Sequence, residues 1–354
     1  MTFNTITLPN PPPIESNAAA ELPLVCGYVI TYNGKRFLDR CLATLRQLTD
    51  YENFHLILVD NGSTDGSGNH VRANFPGVEV LRVFPNAGYA HGANEAIRDA
   101  RRRSARYIAL MNDDIAILHS EWLREAVMHA ERDRRIGIIG FVETASDEGA
   151  QLAPESKLTD FEYLGSAILV IPIEMFDRVG MLDEVYFVGG DESELGVRAQ
   201  AAGYRAVKLG IPIYHFGGGT IKNFSRSMAY MDMRNGIRYC LKNRSLKRAF
   251  LRAVRILEVA CNPWPVTLDD RDPAHSRMRN SGNVVVNLLL WLRAVSWNIV
   301  YFPQTYRIRA AERKLIRAAR AEWNDLNATA NNGASRPRQP GNSPYSGAEM
   351  GDRI

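Results

Sequence analysis

A short apolar run at 24–31, carrying Val25, Val29 and Ile30, has the length and β-branched content of a buried strand. Phe37, Leu38, Cys41, Leu42 and Leu45 then recur at the spacing of one helical face. The alternation continues, with strands expected at 55–59, 78–84, 107–111 and 136–142 and helices at 90–103 and 122–132. Strands and helices alternating at this spacing predict an α/β fold: a Rossmann-like, mostly parallel sheet flanked by helices on both faces. The second half is less regular. It keeps strand patterns at 167–171 and 211–215, and from Met228 it reads as helical and arginine-rich. A Pro/Asp/Arg-rich break covers 264–280, and Asn, Gly, Pro and Ser dominate after Ala328. The pattern divides the chain into a disordered leader (1–22), an α/β domain (23–245), a helical C-terminal extension (246–325) and a disordered tail (326–354).

Composition sharpens this picture in three places. With 354 residues, 45% of them hydrophobic, the chain can bury one large α/β core and still carry the extension. A formal net charge of +4 is too mild to indicate a nucleic-acid binder, but suits a protein meeting anionic ligands or an anionic membrane face. Cys26, Cys41, Cys240 and Cys261 form no CxxC pair, which fits free thiols in a reducing cytosol. The polar, proline-bearing start lacks the basic end and apolar core of a secretory signal, so a cytoplasmic location is expected.

The longest apolar run, 284–302, is interrupted by Arg293, Ser296 and Asn298. That argues for a helix lying in a membrane surface over one spanning it. Val285, Leu288, Leu289, Leu292, Val295 and Ile299 recur at helical spacing, and basic residues follow from Arg307 to Arg320. A helix packed on its own domain, or on a second copy in a homodimer, would show the same pattern. Both readings stay open, the first placing the chain peripherally on the cytoplasmic face of the inner membrane.

Open parallel sheets bind ligands beyond the carboxyl ends of their strands, so the residues following each strand carry the chemistry. The first strand ends in Thr31-Tyr32-Asn33-Gly34, which is not a dinucleotide fingerprint; no P-loop and no GxSxG elbow occur either. The second ends in Asp60-Asn61-Gly62-Ser63-Thr64-Asp65-Gly66 and the fourth in Asn112-Asp113-Asp114. Asp191-Glu192-Ser193-Glu194 and His215-Phe216-Gly217-Gly218-Gly219 come later. Each has a plainer explanation: a turn, a helix cap, the acidic first turn of a helix, a core histidine. Together they suit transfer from a nucleoside diphosphate. That leaving group needs its charge neutralised, which a divalent cation on carboxylate oxygens provides, and Asp114 is placed for this. An acceptor hydroxyl needs a carboxylate base, which Asp191 or Glu192 offers. His215 is a further candidate ligand for metal or diphosphate.

The ordered set VITYNG, LVDNGSTDGS, NAGYAHGANEAI, LMNDDI, GSAILVI, GGDESELGVRAQAAGY and HFGGGT resembles the family 2 glycosyltransferases, nearest their bacterial rhamnosyltransferase-like branch, over about residues 24 to 245. The resemblance implies a GT-A fold, inversion at the anomeric carbon and Mg²⁺ or Mn²⁺. It implies that Thr31, Tyr32, Asp60 and Asn61 hold the base and ribose, and that 86–94, with Asn86, Gly88 and Asn94, lines the nucleotide cleft. Asp114 would be the metal-binding end of a DXD-type motif, with Asp113 beside it near ribose or metal. The family's Glu-Asp pair is reversed here, which puts Glu192 at the base position and keeps Asp191 as its competitor. Tyr230 to Asn235 resembles the branch's YxxRN segment, to which the sequence assigns no role. The expected partners are a nucleotide-sugar donor, a uridine or deoxythymidine diphosphate sugar with dTDP-rhamnose first, and a saccharide or lipid-linked acceptor. The rival readings are a nucleotidyltransferase, whose basic glycine-rich phosphate loop is missing after the first strand, and a non-catalytic saccharide-binding or assembly protein.

Overall fold

The computed structural model describes residues 22–144, 155–160, 166–216, 226–262 and 283–334. The leader up to residue 21, the whole of the 264–280 break, the glycines after Phe216 and the tail from 335 lie outside the described residues.

Strands β1 (Val25–Thr31), β2 (Phe54–Asp60), β3 (Glu79–Arg82) and β4 (Tyr107–Asn112) alternate with helices α1 (Lys35–Gln47), α2 (Ser67–Asn74) and α3 (Tyr89–Arg102). Then come β5 (Ile115–Ile117), α4 (Trp122–Arg132), β6 (Ile136–Thr144), β7 (Glu155–Asp160), β8 (Ile168–Pro172), α5 (Met175–Val179), a 3₁₀ turn at Glu184–Tyr186, α6 (Asp191–Ala201) and β9 (Arg205–His215). Helices α7 (Arg226–Asn243), α8 (Leu246–Ala260), α9 (Val284–Val300) and α10 (Phe302–Ala334) complete the chain. The sheet order is β3-β2-β1-β4-β8-β6-β9-β5, with β7 also on β9. Strands β1 to β4 are parallel and β6 and β9 run with each other, while β8, β5 and β7 are antiparallel to their neighbours.

Every residue of β1 is buried, because helices cover both faces of the sheet. Its side chains split by the two-residue period. Val25 and Val29 join α1, α2 and α4 in one core layer, while Cys26, Tyr28 and Ile30 meet α3, α5 and α6 in the other. Helix α3 lies close on the sheet because it presents Ala90, Ala93, Ala96 and Ala100.

The extension is not a separate body. Helix α10 returns to α5, α6 and α7, placing Ala319 in the second core layer. A buried ionic network fixes it there. Lys242 Nζ reaches Asp183 (2.9 Å), Glu194 (3.0 Å) and Glu312 of α10 (2.7 Å), Arg198 pairs with Glu194 (2.8 Å), and Arg238 pairs with Asp183 (2.8 Å). Burial alone would raise the Asp183 pKa, but Lys242 and Arg238 outweigh it and hold it down to about 2. Removing one member of such a network strands its partner's charge, at a cost of about 3–5 kcal/mol. Helix α10 also continues to Ala334, past the boundary at 325 expected for the extension.

Candidate active site

The topology builds a crevice at one edge of the sheet. From β1 the chain moves outward through β2 and β3, then returns to the other side of β1 as β4, so the strand order reverses between β1 and β4. Register aligns Thr31 with Asp60, and Ile30 with Asn112, so the ends of β1, β2 and β4 open at one level. The carboxyl ends of β6 and β9, paired in parallel at Thr144 and Tyr214, bring Glu143 and His215 together.

Inside the crevice Thr31, fully buried, donates its hydroxyl to Asp113 Oδ2 at 2.6 Å. Burial pushes the Asp113 carboxyl up to about 6; the Thr31 hydrogen bond opposes this and the Asp114 charge adds to it. Gly34 is needed here, since a Cβ would overlap both the Asp113 carboxylate and the Thr31 hydroxyl. Tyr32 stands at the rim, 42% exposed. Asp60 is buried and accepts from its own loop at Ser63 N (2.8 Å). Asn61 donates to Gly88 O (3.0 Å), while its buried Oδ1 has no hydrogen-bond partner among the described residues. Asn86 accepts from Gly88 N at 2.8 Å.

Asp114 lies between β4 and β5, and the β5–β9 register sets Ile115 opposite His215. His215 Nε2 is 3.3 Å from Asp114 Oδ1, and its Nδ1 is 2.8 Å from Glu143 Oε2. Burial disfavours the imidazolium, but hydrogen bonds and charges from Asp114 and Glu143 prevail and push its pKa up to about 10. Glu143 also accepts from Ala167 N (2.8 Å); burial raises its pKa, the His215 contacts lower it, and the net shift is downward. The sequence reading missed Glu143. It follows an apolar strand as Asp60 does, and that was the available signal.

Asp191 and Glu192 open α6 after Gly190, a left-handed glycine. Both carboxyls are held above the usual range by burial, and Glu192 additionally by the Asp191 charge. They face different surroundings. Glu192 hydrogen-bonds the Tyr89 hydroxyl and feels Glu143 and His215. Asp191 feels Glu194 and Asp183, and its buried Oδ2 has no hydrogen-bond partner among the described residues.

The loop that delivers this pair is gripped from two sides. Helix α3 supplies Asn94, which donates to Leu182 O (2.9 Å) and Glu184 Oε1 (2.8 Å) and accepts from Leu182 N (3.0 Å). Asn94, expected to line the nucleotide cleft, instead has both ends of its amide committed to this loop. Gly88, at φ +102°, lets the chain approach Phe187, where any Cβ would collide with backbone. From α7, Arg234 Nη2 donates to Val185 O (2.8 Å) and Tyr186 O (2.9 Å). Asn235 Nδ2 contacts the carbonyls of Tyr186 (3.0 Å), Val188 (3.1 Å) and Gly189 (2.8 Å). The Arg234-Asn235 end of the Tyr230–Asn235 segment thus has a physical role: it fixes the backbone immediately before Asp191.

Asn235→Ala should therefore cost about 1–3 kcal/mol of stability, because carbonyls lose their donor in a buried place. It should also lower kcat by roughly tenfold with donor KM nearly unchanged, since small displacements of reacting groups are costly. Denaturant titration and steady-state kinetics check both. Unaltered kcat in the folded variant would limit the clamp to a structural role.

Residues 28–186 match the family model described as Glycosyl transferase family 2. That segment is therefore similar to the family 2 glycosyl transferases. An uncharacterized protein, y4gI, of Sinorhizobium fredii is 29% identical over 215 residues, covering 52% of this chain and 23% of that protein. An N-acetylglucosaminyl-diphospho-decaprenol L-rhamnosyltransferase of Mycobacterium tuberculosis is 25% identical over 226 residues, covering 52% of this chain and 72% of that protein. The chain thus spans less than a quarter of the first relative and about three quarters of the second. The crystal structure of GalNAc-T7 with UDP, GalNAc and Mn²⁺ shares the fold at a TM-score of 0.54 and 11% identity, covering 79% of this chain and 58% of that one. The architecture is the GT-A arrangement. The family 2 match takes in Thr31, Asp60, Asp113, Asp114 and Glu143 and ends at Tyr186, before Asp191, Glu192 and His215.

Proposed function

We propose that this chain is an inverting, metal-dependent glycosyltransferase that moves a sugar from a nucleoside diphosphate onto a hydroxyl of a saccharide or lipid-linked glycan. The observation that carries this reading is the convergence, at the β1/β4 switch point, of Asp113, Asp114, His215 and Glu143 with Glu192 at the start of α6. A nucleotidyltransferase has no use for a base carboxylate so placed.

The donor set fits a divalent ion shared with the donor's diphosphate. Asp114 and His215 lie side by side with Glu143 on the imidazole Nδ1, and an ion bound there would displace the Nε2 proton and so free that nitrogen as a ligand. Among the described residues no group of three or more His, Cys, Asp or Glu is placed to hold a metal ion by itself, so further ligands would have to come from the substrate. When bound, Mg²⁺ or Mn²⁺ would neutralise charge on the departing diphosphate.

The chain's own residues supply the rest. Thr31 and Tyr32 with Asp60 and Asn61 form the wall for base and ribose, and Asp113, fixed by Thr31, stands beside them. Glu192 takes the acceptor proton as the hydroxyl attacks the anomeric carbon from the face opposite the diphosphate, which inverts the configuration. Tyr89 orients that carboxylate. The donor base is uracil or thymine, with a dTDP-sugar such as dTDP-rhamnose the first candidate, a reading supported by the rhamnosyltransferase relative. The test is release of free nucleoside diphosphate from a panel of dTDP-, UDP- and GDP-sugars with Mn²⁺ and saccharide acceptors. Acceptor-stimulated release from a dTDP- or UDP-sugar supports the proposal. Absence of release from every donor, with nucleotide binding intact, would leave a non-catalytic binding protein.

A further inference from the structure

Helix α9 is inside out. Its buried positions are Asn287, Ala294 and Asn298; Asn298 Nδ2 donates to Arg234 O at 3.0 Å and Ala294 O at 2.9 Å. Leu290 and Val295 pack inward, but five large aliphatic side chains point the other way: Val285, Leu289, Leu292, Ile299 and Val300 are all more than half exposed. At about 100° per residue these fall on one side of the helix, opposite the asparagines. Helix α8 repeats the arrangement. It buries Ala249, Arg252 and Ile256 and exposes Leu246, Phe250, Leu251 and Val254. The two helices pack together, and Trp291 Nε1 donates to Ala253 O at 2.8 Å. A helix facing only water carries polar residues on its outer side, so clustered aliphatic side chains there mark a surface made to be covered.

The surrounding charges identify the cover. Exposed Arg244, Lys247, Arg248 and Arg255 border the α8 stripe, and Glu258 is the only acid on that helix. Exposed Arg293 lies beside Leu289 and Leu292 on α9, which has no acid. Exposed Tyr301 and Tyr306 follow at the α9–α10 junction. In a symmetric dimer each copy would bring the same cations to the same interface, an arrangement of like charges that opposes association. An anionic lipid surface complements both the apolar stripe and its cationic border.

We propose that the α8/α9 face seats this chain on an anionic bilayer as a peripheral contact. No single described helix is long and apolar enough to cross a membrane; α9 and α10 meet that test only together, across a bend of 59°. The face is independent of the reaction assigned to the crevice, so either reading can fail alone.

Co-sedimentation of the full chain with vesicles of phosphatidylcholine, with and without phosphatidylglycerol, tests this. The chain should pellet with the anionic vesicles at low salt and be partly released as salt rises, because screening weakens only the cationic share. Leu289→Glu with Leu292→Glu should lower vesicle partitioning at least ~10-fold through the loss of two apolar side chains from the contact. Lys247→Glu with Arg248→Glu should weaken binding to the anionic vesicles alone. All substituted positions are exposed, and circular dichroism verifies that the variants fold. No pelleting, or equal pelleting of native chain and double-Leu variant, overturns the proposal. So does a detergent-free dimer that ignores vesicles and dissociates on the Leu substitutions. Salt-resistant binding that only detergent reverses would assign the bent α9–α10 pair to a span and overturn it too.

Discussion

Asp114→Ala should lower turnover by on the order of 10³-fold, and chelation by EDTA should do the same to the native chain. Asp114 is buried just after β4, and its carboxylate lies 3.3 Å from His215 Nε2. Removing it takes away the anionic half of the donor set for the ion that carries the diphosphate. Electrostatic stabilisation of a leaving group by a metal is worth several kcal/mol, and each 1.36 kcal/mol is tenfold in rate. The variant should also bind Mn²⁺ more weakly in an equilibrium titration with nucleotide present, which separates loss of the ion from misfolding. His215→Ala should fall between the native chain and Asp114→Ala, because one ligand and the donor's oxygens remain. Full activity in EDTA, or in Asp114→Ala, would eliminate the metal-dependent mechanism.

The parts of this molecule that were legible in sequence are those whose signal is local. An apolar run followed by polar residues locates the ends of β1, β2 and β4, so Thr31, Asp60 and Asp114 could be named before their neighbours were known. Helix α2 was not visible because Val71 is its only large buried apolar residue and gives no helical period. Strand β5 has only Ile115–Ile117 and exists through its antiparallel pairing with β9. The 167–171 pattern identified β8 but not its direction, since alternation reads the same in parallel and antiparallel strands. The observed β9 begins at Arg205, well before the 211–215 segment expected. Glu143 meets His215 across 72 residues, and no spacing rule reaches that far. Asn94 and Asn235 show the same limit in a different form. The resemblance implied that Asn94 lines the nucleotide cleft, and the sequence assigned Asn235 no role, yet both amides are used on backbone of the loop before Asp191. The apolar periodicity of α9 was also legible, but not that its aliphatic side faces outward and its asparagines inward.

Glu192→Gln should lower kcat by about 10²-fold or more and leave donor binding nearly intact, because it preserves shape and removes only basicity. The choice between Glu192 and Asp191 rests on their surroundings. Glu192 meets the Tyr89 hydroxyl and lies within the field of Glu143 and His215, on the side of the crevice. Asp191 lies within the field of Glu194 and Asp183, in the ionic network that anchors α10. Asp191→Asn should therefore affect stability more than chemistry. The pH profile gives a second reading. A carboxyl held above the ordinary glutamate value of about 4.3 is unavailable as a base until the pH exceeds its raised pKa. The acidic limb of kcat should thus lie above that value and disappear in Glu192→Gln. Tyr89→Phe sharpens the test. The tyrosine hydroxyl donates to the carboxylate and so favours the ionised form, opposing burial and the Asp191 charge. Without it the limb should move further toward alkaline pH, whereas a Glu192 outside the reaction would leave the limb in place. A kcat that survives Glu192→Gln and is lost in Asp191→Asn would transfer the base to Asp191 and make Glu192 its neighbour.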